Sequence, residues 1–316
     1  MSPAPTCCVL AGGVGAARLL RGLVRAIPES NVTAIVNIAD DFRIHGLHVS
    51  PDLDTVTYTL AGVDNAETGW GVTDETWAAM EMVRMYGGIE WFNLGDRDLG
   101  TNLFRTQRLS EGATLSEVTA EITNAWSIGA RVLPVSDDAI QTRVTVVDEG
   151  EIGFQEYFVR RRHDVEVSSV RFEGIDEAHP SPGVIESIKS ADLVVIAPSN
   201  PIVSIGPLLA VPGVSEALVE RRKTVAAVSP IVGGRALKGP ADRMMSELGH
   251  DATVVGIASI YEGVAATLVI DELDAELRSD VLGNTNDLSC VVTDTVMRDA
   301  DTAQQLSRTI IDEVIG

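Results

Sequence analysis

Short β-branched and aliphatic runs alternate with helix-period segments along most of the chain, the rhythm that a parallel sheet with crossover helices requires. Residues 7–10 form an apolar run read as the first strand. The turn AGGVGA follows, and then a helix whose Leu19, Leu20 and Leu23 share one face. Residues 33–36 predict a second strand. After an aspartate-rich loop, residues 54–60 read as a helix stopped by Gly62. Thr73 opens another over DETWAAMEMVRMY, ended by Gly87 and Gly88. Residues 91–98 read as a strand running into a charged turn. Thr114 and Glu117 have the spacing of a capping box before a helix that reaches Trp126.

From residue 132 to 172 the pattern becomes alternating around Asp148-Glu149-Gly150, which predicts an antiparallel hairpin inserted after a first α/β block of residues 1–131. The α/β rhythm resumes in residues 173–316. Strands are expected at 193–197, 224–228 and 253–257, and helices at 242–249 and 302–314. The expected architecture is one Rossmann-like α/β domain. Its mostly parallel sheet is flanked by helices and carries an inserted antiparallel hairpin and helical additions.

Composition narrows the function. In 316 residues the formal charge is −22, which argues against a nucleic-acid binder, whose affinity rests on a basic face. Only Lys189, Lys223 and Lys238 supply lysine. The three cysteines, Cys7, Cys8 and Cys290, lack metal-ligand spacing and suit a reducing compartment. The apolar N-terminal run is broken by glycines and Arg18, so it reads as strand and loop rather than a signal or membrane span. A cytoplasmic enzyme with no membrane and no nucleic-acid partner is expected, with a homodimer as the commonest assembly for such proteins.

Candidate chemistry gathers in the loops after strands. Gly12, Gly13 and Gly15, with Arg18 one turn into the helix, suit an anion approaching backbone N–H groups. This is neither a Walker loop nor a full dinucleotide fingerprint, because Arg18 occupies the third glycine position. The loop NIADDFRIHGLHVSPDLDT carries Asn37, Asp40, Asp41, Asp52 and Asp54. Asp40 or Asp41 would suit ribose hydroxyls, and Asp52 would suit a helix cap. Hard oxygens from both clusters would suit Mg²⁺ on a diphosphate, whereas solvated surface is the plain alternative. His45 and His48 have no third soft ligand and read as loop packing. Asn93, Asp96 and Arg97 lie where open sheets bind ligands, although Arg97 between two aspartates also fits an isolated ion-pair network. Ser199, Asn200 and Pro201 form a rigid loop with uncharged donors. The basic run at 160–163 reads as a solvated edge outside the site.

Taken in order, VLAGGVGAARLLRGL, NIADD, HGLHVSPDLDT, GDRDLGTNLFRTQRL, LPVSDD, APSNPIVSIGP and VSPIVGGRALKGPADRM resemble the 2-phospho-L-lactate transferase family of coenzyme F420 biosynthesis. The resemblance runs from about residue 9 to residue 245. It implies a magnesium-dependent transfer of a phospholactyl or phosphoenolpyruvyl group. The donor would be a guanosine diphosphate ester and the acceptor the ribityl hydroxyl of the deazaflavin Fo, with GMP leaving. By the same resemblance Asp54 is expected at the metal and acceptor, with Asp40 or Asp41 helping as ligands and Asp54 and Asp41 as the catalytic carboxylates. Asn93 is expected at the deazaflavin, and the glycine loop and Ser199-Asn200-Pro201 at the guanosine diphosphate. Two rival readings stand beside it. One is a nucleotide-sugar-binding protein of the gluconeogenesis-factor type, similar around the glycine loop and the Ala-Asp-Asp motif. The other is a NAD-dependent oxidoreductase.

Overall fold

The structure is a computed structural model that describes residues 3–65 and 69–316. Along the chain the strands are β1 (Cys7–Ala11), β2 (Val32–Val36), β3 (Phe42–Ile44), β4 (Leu47–Val49) and β5 (Arg131–Pro134). There follow β6 (Gln141–Val146), β7 (Gly150–Gly153), β8 (Val167–Glu173), β9 (Leu193–Ile196) and β10 (Val225–Val228). The last are β11 (Ile231–Val232), β12 (Arg235–Ala236), β13 (Thr267–Asp271) and β14 (Ser289–Thr293). Seven of them form the central sheet in the order β14-β13-β10-β9-β1-β2-β5. Every neighbouring pair is parallel. The chain thus works outward from β1 through β2 to β5, then crosses over β1 and works outward again from β9. The reversal lies between β1 and β9, and this is where open α/β sheets leave a crevice at the carboxyl ends of their strands.

Burial explains the strand sequences. CCVLA, LVVI, VAAV and TLVID are buried along their whole length, as strands covered by helices on both faces must be. The first helix, α1 (Gly13–Ala26), packs on α2 (Pro51–Ala61) and on the C-terminal helix Ala300–Ile315. Pro51 sits in the first turn of α2, where its missing N–H costs nothing, and Gly62 closes that helix in the left-handed region. No single helix among the described residues is long and apolar enough to cross a membrane.

Two antiparallel additions frame the crevice. The hairpin β3–β4 buries Ile44, Leu47 and Val49 against Leu94. The sheet β7-β6-β8 builds a separate core from Val144, Tyr157, Val167, Val203 and Met244. The hairpin around Asp148-Glu149-Gly150 is present as expected, but β5 belongs to the central sheet, so the insertion begins at β6 rather than at residue 132.

Four expectations need correction. Residues 253–257 are not a strand: Thr253 accepts the N–H of Val255 and caps the helix Val254–Tyr261, and the apolar run is too short to show its helical period. Residues 91–95 are not a strand either, and α4 (Asp96–Ser110) begins directly after them. The helix expected from Thr73 is shortened to α3 (Ala78–Met85), because its N-terminal N–H groups are met by Asp96 from a distant segment. Beyond β7 the residues EYFVR coil into a π-helical turn, Glu156–Arg160, instead of continuing the hairpin. The basic run that follows pairs at the surface, Arg160 with Glu156 and Arg161 with Glu149, in keeping with a solvated role.

Close packing at the reversal dictates glycine at two positions. A Cβ on Gly15 would lie 2.2 Å from the carbonyl oxygen of Pro198, and one on Gly12 would lie 2.7 Å from Cβ of Ser204. Gly15→Ala should therefore push the loops after β1 and β9 apart and lower stability by about 1–3 kcal/mol, the usual cost of overpacking. Urea unfolding at constant m-value measures it, and an unchanged midpoint would mean the two loops are not packed as described.

Candidate active site

A cavity of about 450 Å³ opens over the carboxyl ends of the central strands. The loop after β1 supplies Gly12, Gly13, Gly15 and Arg18, and the loop after β2 supplies Asn37 and Asp40. Pro198, Ser199, Asn200 and Ser204 come from the loop after β9, Ser229 from the one after β10, and Met297 from the one after β14.

One wall is acidic. Asn37 donates from Nδ2 to Asp52 at 3.0 Å and to Asp40 at 3.4 Å, while its own Oδ1 accepts the N–H of Ala39. Gln155 reaches in from beyond β7 and donates to the backbone oxygen of Asp40 at 3.1 Å. The remaining carboxylates stand on two helices whose spacing turns them to one side. Asp54 and Tyr58 are one turn apart on α2, and Asp98, Asn102 and Arg105 are the buried positions of α4. Both carboxylate oxygens of Asp54 accept from the Arg105 guanidinium, which also donates to Asn102 Oδ1 at 2.7 Å. Asn102 in turn donates to the backbone oxygen of Asp98 at 2.9 Å, and the Tyr58 hydroxyl donates to Asp98 Oδ1 at 2.8 Å. Asp41 turns away from the cavity. Its Oδ2 meets His48 Nε2 at 2.9 Å and accepts from Ser50 Oγ at 2.7 Å, while its Oδ1 is buried without a partner among the described residues.

Crowding and burial set the charge state of this wall. Burial pushes the Asp52 carboxyl up to about 7, with the Asn37 amide opposing the shift. Burial, then the charge of Asp54, pushes Asp98 up to about 7. Asp40 is raised well above the usual range by burial and by Asp52. Asp54 is also raised by burial, although Arg105 works against this. Among the described residues no three His, Cys, Asp or Glu side chains are grouped as a ready-made metal site.

The loops after β1 and β9 add a different chemistry. Asp52 accepts the backbone N–H of Gly13, so it caps α1 rather than its own helix. Ser199 Oγ donates to the Gly12 carbonyl at 2.6 Å and ties the two loops together. Asn200 Oδ1 caps the π-helical turn Pro201–Ile205 through the N–H of Ile202. Trp91, Phe92, Phe154 and Phe158 add an aromatic wall, with Phe154 and Phe158 stacked at 5.5 Å.

Ten of the residues singled out from sequence therefore line one cavity: Gly12, Gly13, Gly15, Arg18, Asn37, Asp40, Asp54, Asn93, Ser199 and Asn200. Four do not. Asp41 lies behind the wall, and Pro201 is buried in its helical turn. Asp96 caps α3, accepting from Thr76 Oγ1 and the N–H groups of Ala78 and Ala79. Arg97 points outward and donates to the Thr73 carbonyl at 3.1 Å. Sequence reading missed Tyr58, Asp98, Arg105, Gln155 and Lys238 as site residues and took Asp52 only for a cap. The helical spacings of Asp54 with Tyr58 and of Asp98, Asn102 and Arg105 were the available signal, hidden because 91–98 was read as strand and turn.

Fold and cavity define a doubly wound α/β protein with a cavity at the switch point of its sheet. The family model of 2-phospho-L-lactate transferase CofD matches residues 7–311, and the chain belongs to that transferase family. It is 44% identical over 305 residues to a phosphoenolpyruvate transferase of Streptomyces griseus, covering 95% of each chain. It is 42% identical over 314 residues to a phosphoenolpyruvate transferase of Streptomyces coelicolor, covering 97% of this chain and 98% of the other. Among solved structures, a UPF0052 family protein from Bacillus halodurans superposes with a TM-score of 0.60 at 17% identity, over 98% of this chain and all of that one, a likeness of fold.

Two outcomes follow from the wall. Arg105→Met should strand the buried Asp54 charge and lower stability by about 3–5 kcal/mol, and adding Asp54→Asn should recover part of that loss. Urea unfolding of the single and double variants at pH 7.5 checks it, and equal loss in both would refute the pairing. For Asp98 the folded state holds its proton to higher pH than the unfolded chain, so this group's contribution falls as pH rises from about 4 to about 7. Asp98→Asn keeps an acceptor for Tyr58 and removes the charge. Without divalent cations its melting temperature should exceed the parent's by a few degrees, as an order of magnitude, at pH 8 and match it near pH 4.

Proposed function

We propose that this chain transfers a phosphoenolpyruvyl or phospholactyl group from a guanosine diphosphate ester to the terminal ribityl hydroxyl of the deazaflavin Fo. The products are GMP and a phosphodiester of the F420 pathway, and the setting is the cytoplasm. The observation that carries this reading is the meeting, in one cavity, of the switch-point loops, four buried carboxylates and an aromatic wall. Relatives above 40% identity bear the transferase name across nearly their whole length.

The chemistry asks for alignment and charge management more than for a strong nucleophile. The hydroxyl oxygen attacks the phosphorus that carries the three-carbon acid, and the bond to the GMP oxygen breaks. Asp98 would take the hydroxyl proton: it lines the cavity, Tyr58 holds its Oδ1, and its Oδ2 accepts no hydrogen bond from the described residues. A carboxyl pushed up to about 7 suits a general base at neutral pH. Trp91, Phe92 and Asn93 would flank the deazaflavin, while Gly12 to Gly15 and Ser199-Asn200 face the nucleotide.

Magnesium belongs to the proposal, and the donor set fits it. Mg²⁺ takes one or two carboxylates together with substrate phosphates. Asp40, Asp52 and Asp54 line the cavity and bring buried carboxylate oxygens to it, whereas Asp41 does not line it. Asp54 would have to share its oxygens with Arg105. Bound there, the ion would neutralise charge on the phosphates during transfer.

Purified protein supplied with Fo, magnesium and either donor should release GMP and give a product whose mass identifies the acid. Asp54→Asn should lower turnover at least a hundredfold, with folding followed separately by circular dichroism. Saturable binding of a UDP-sugar without Fo binding would favour the nucleotide-sugar reading, and tight NAD binding would favour the oxidoreductase.

A further inference from the structure

Arg18 and Lys238 are the only cationic side chains among the described residues that line the cavity, against the carboxylates of Asp40, Asp52, Asp54 and Asp98. Neither makes an ion pair with a described residue, although the chain is strongly acidic. Its eighteen ion pairs among described residues engage most of the other basic residues but neither of these two. Arg18 has one neutral acceptor, the Met297 carbonyl at 3.3 Å. Lys238 is held over Gly69, where a Cβ would come within 2.7 Å of its Nζ and then meet Val14 at 3.4 Å. That position puts the ammonium beside the first turn of α1, on the same side as Arg18. Burial and the charge of Arg18 both lower the Lys238 pKa, so the two cations repel each other there. Two adjacent cations that face a cavity with no ion pair to a described residue favour a ligand group with at least as much negative charge.

The glycine loop explains why such a pair would be needed. In a phosphate-binding turn the first free N–H groups of the helix meet the anion. Here Asp52 already accepts the Gly13 N–H and presents a carboxyl at that place. A phosphate seated directly on Gly13 would displace or repel it. The arrangement moves the anionic end of a ligand away from Asp52 and towards the side chains of Arg18 and Lys238.

We propose that Lys238, with Arg18, seats the distal phosphate of a nucleoside diphosphate, so that the site separates diphosphate from monophosphate ligands. This rests on the transferase reading above, in which the diphosphate ester enters and the monophosphate leaves. With the distal phosphate transferred, the leaving GMP would keep no group on the pair, which would assist its release.

Calorimetric titration at fixed magnesium tests the pair with GDP and GMP, UDP and UMP, and ADP and AMP. In the parent protein a diphosphate should bind more tightly than its monophosphate. Lys238→Met should weaken the diphosphate at least tenfold and the monophosphate less than twofold, while Lys238→Arg stays within threefold of the parent. Melting temperatures of both variants should match the parent, since Lys238 supports no described ion pair. Equal losses for diphosphate and monophosphate, or no loss for either, would overturn the assignment, as would a parent protein that binds no nucleoside diphosphate. The same pattern with UDP or ADP in place of GDP would keep the pair and discard guanosine as the base.

Discussion

The carbonyl oxygen of Pro198 occupies the space that any side chain on residue 15 would need, and the site is built outward from that contact. It lies between β1 and β9, the two strands at which the sheet reverses its order. Because the backbones touch there, the loop after β9 can fold over the first turn of α1, where Ser199 bonds to Gly12. The crevice is therefore closed at its base and open at the strand ends. Without a glycine at residue 15 the loops would part, and the cavity floor with them.

Above that floor the dominant physics is uncompensated charge. Asp40, Asp52, Asp54 and Asp98 are buried within one wall, each less than a tenth exposed. Each is handled differently: Asp54 by the Arg105 guanidinium, Asp52 by the Asn37 amide and the Gly13 N–H, Asp98 by the Tyr58 hydroxyl, and Asp40 by longer contacts from Asn37 and Gln155. Fixed dipoles and one buried guanidinium thus hold a group of carboxylates that would otherwise drive the helices apart. Such preorganisation costs stability and is characteristic of sites whose charges are completed by ligands. Arg18 and Lys238, which line the same cavity and make no ion pair with a described residue, are the complement of this wall. An anionic ligand that also carries a divalent ion would satisfy both at once.

Much of the fold was legible because burial on both faces leaves a plain mark. The runs at residues 7–10, 33–36 and 193–197 are apolar or β-branched without alternation, and Gly12, Asn37 and Pro198 stand within two residues of their ends. The errors fell where a short segment takes its conformation from distant partners. Residues 253–257 are as apolar as a strand but answer to the Thr253 cap, and α3 begins only where Asp96 reaches its first N–H groups. The glycine loop, Asn37, Asp40 and Asp54 could be picked out because they follow strands. Tyr58, Asp98 and Arg105 could not, since they belong to the site only once α2 and α4 are packed together.

By itself the sequence determined the α/β rhythm, the acidic character and the motifs that mark the transferase family, because these depend on local pattern and residue type. Tertiary structure alone decided what each aspartate does. Asp52 was expected to cap its own helix and caps α1; Asp41 turns to His48; Asp96 and Arg97 serve the surface around α3. The reason is that a carboxylate's role is set by whichever donor lies within about 3 Å. In this protein those donors are supplied by segments far away in the chain, as Arg105 is for Asp54.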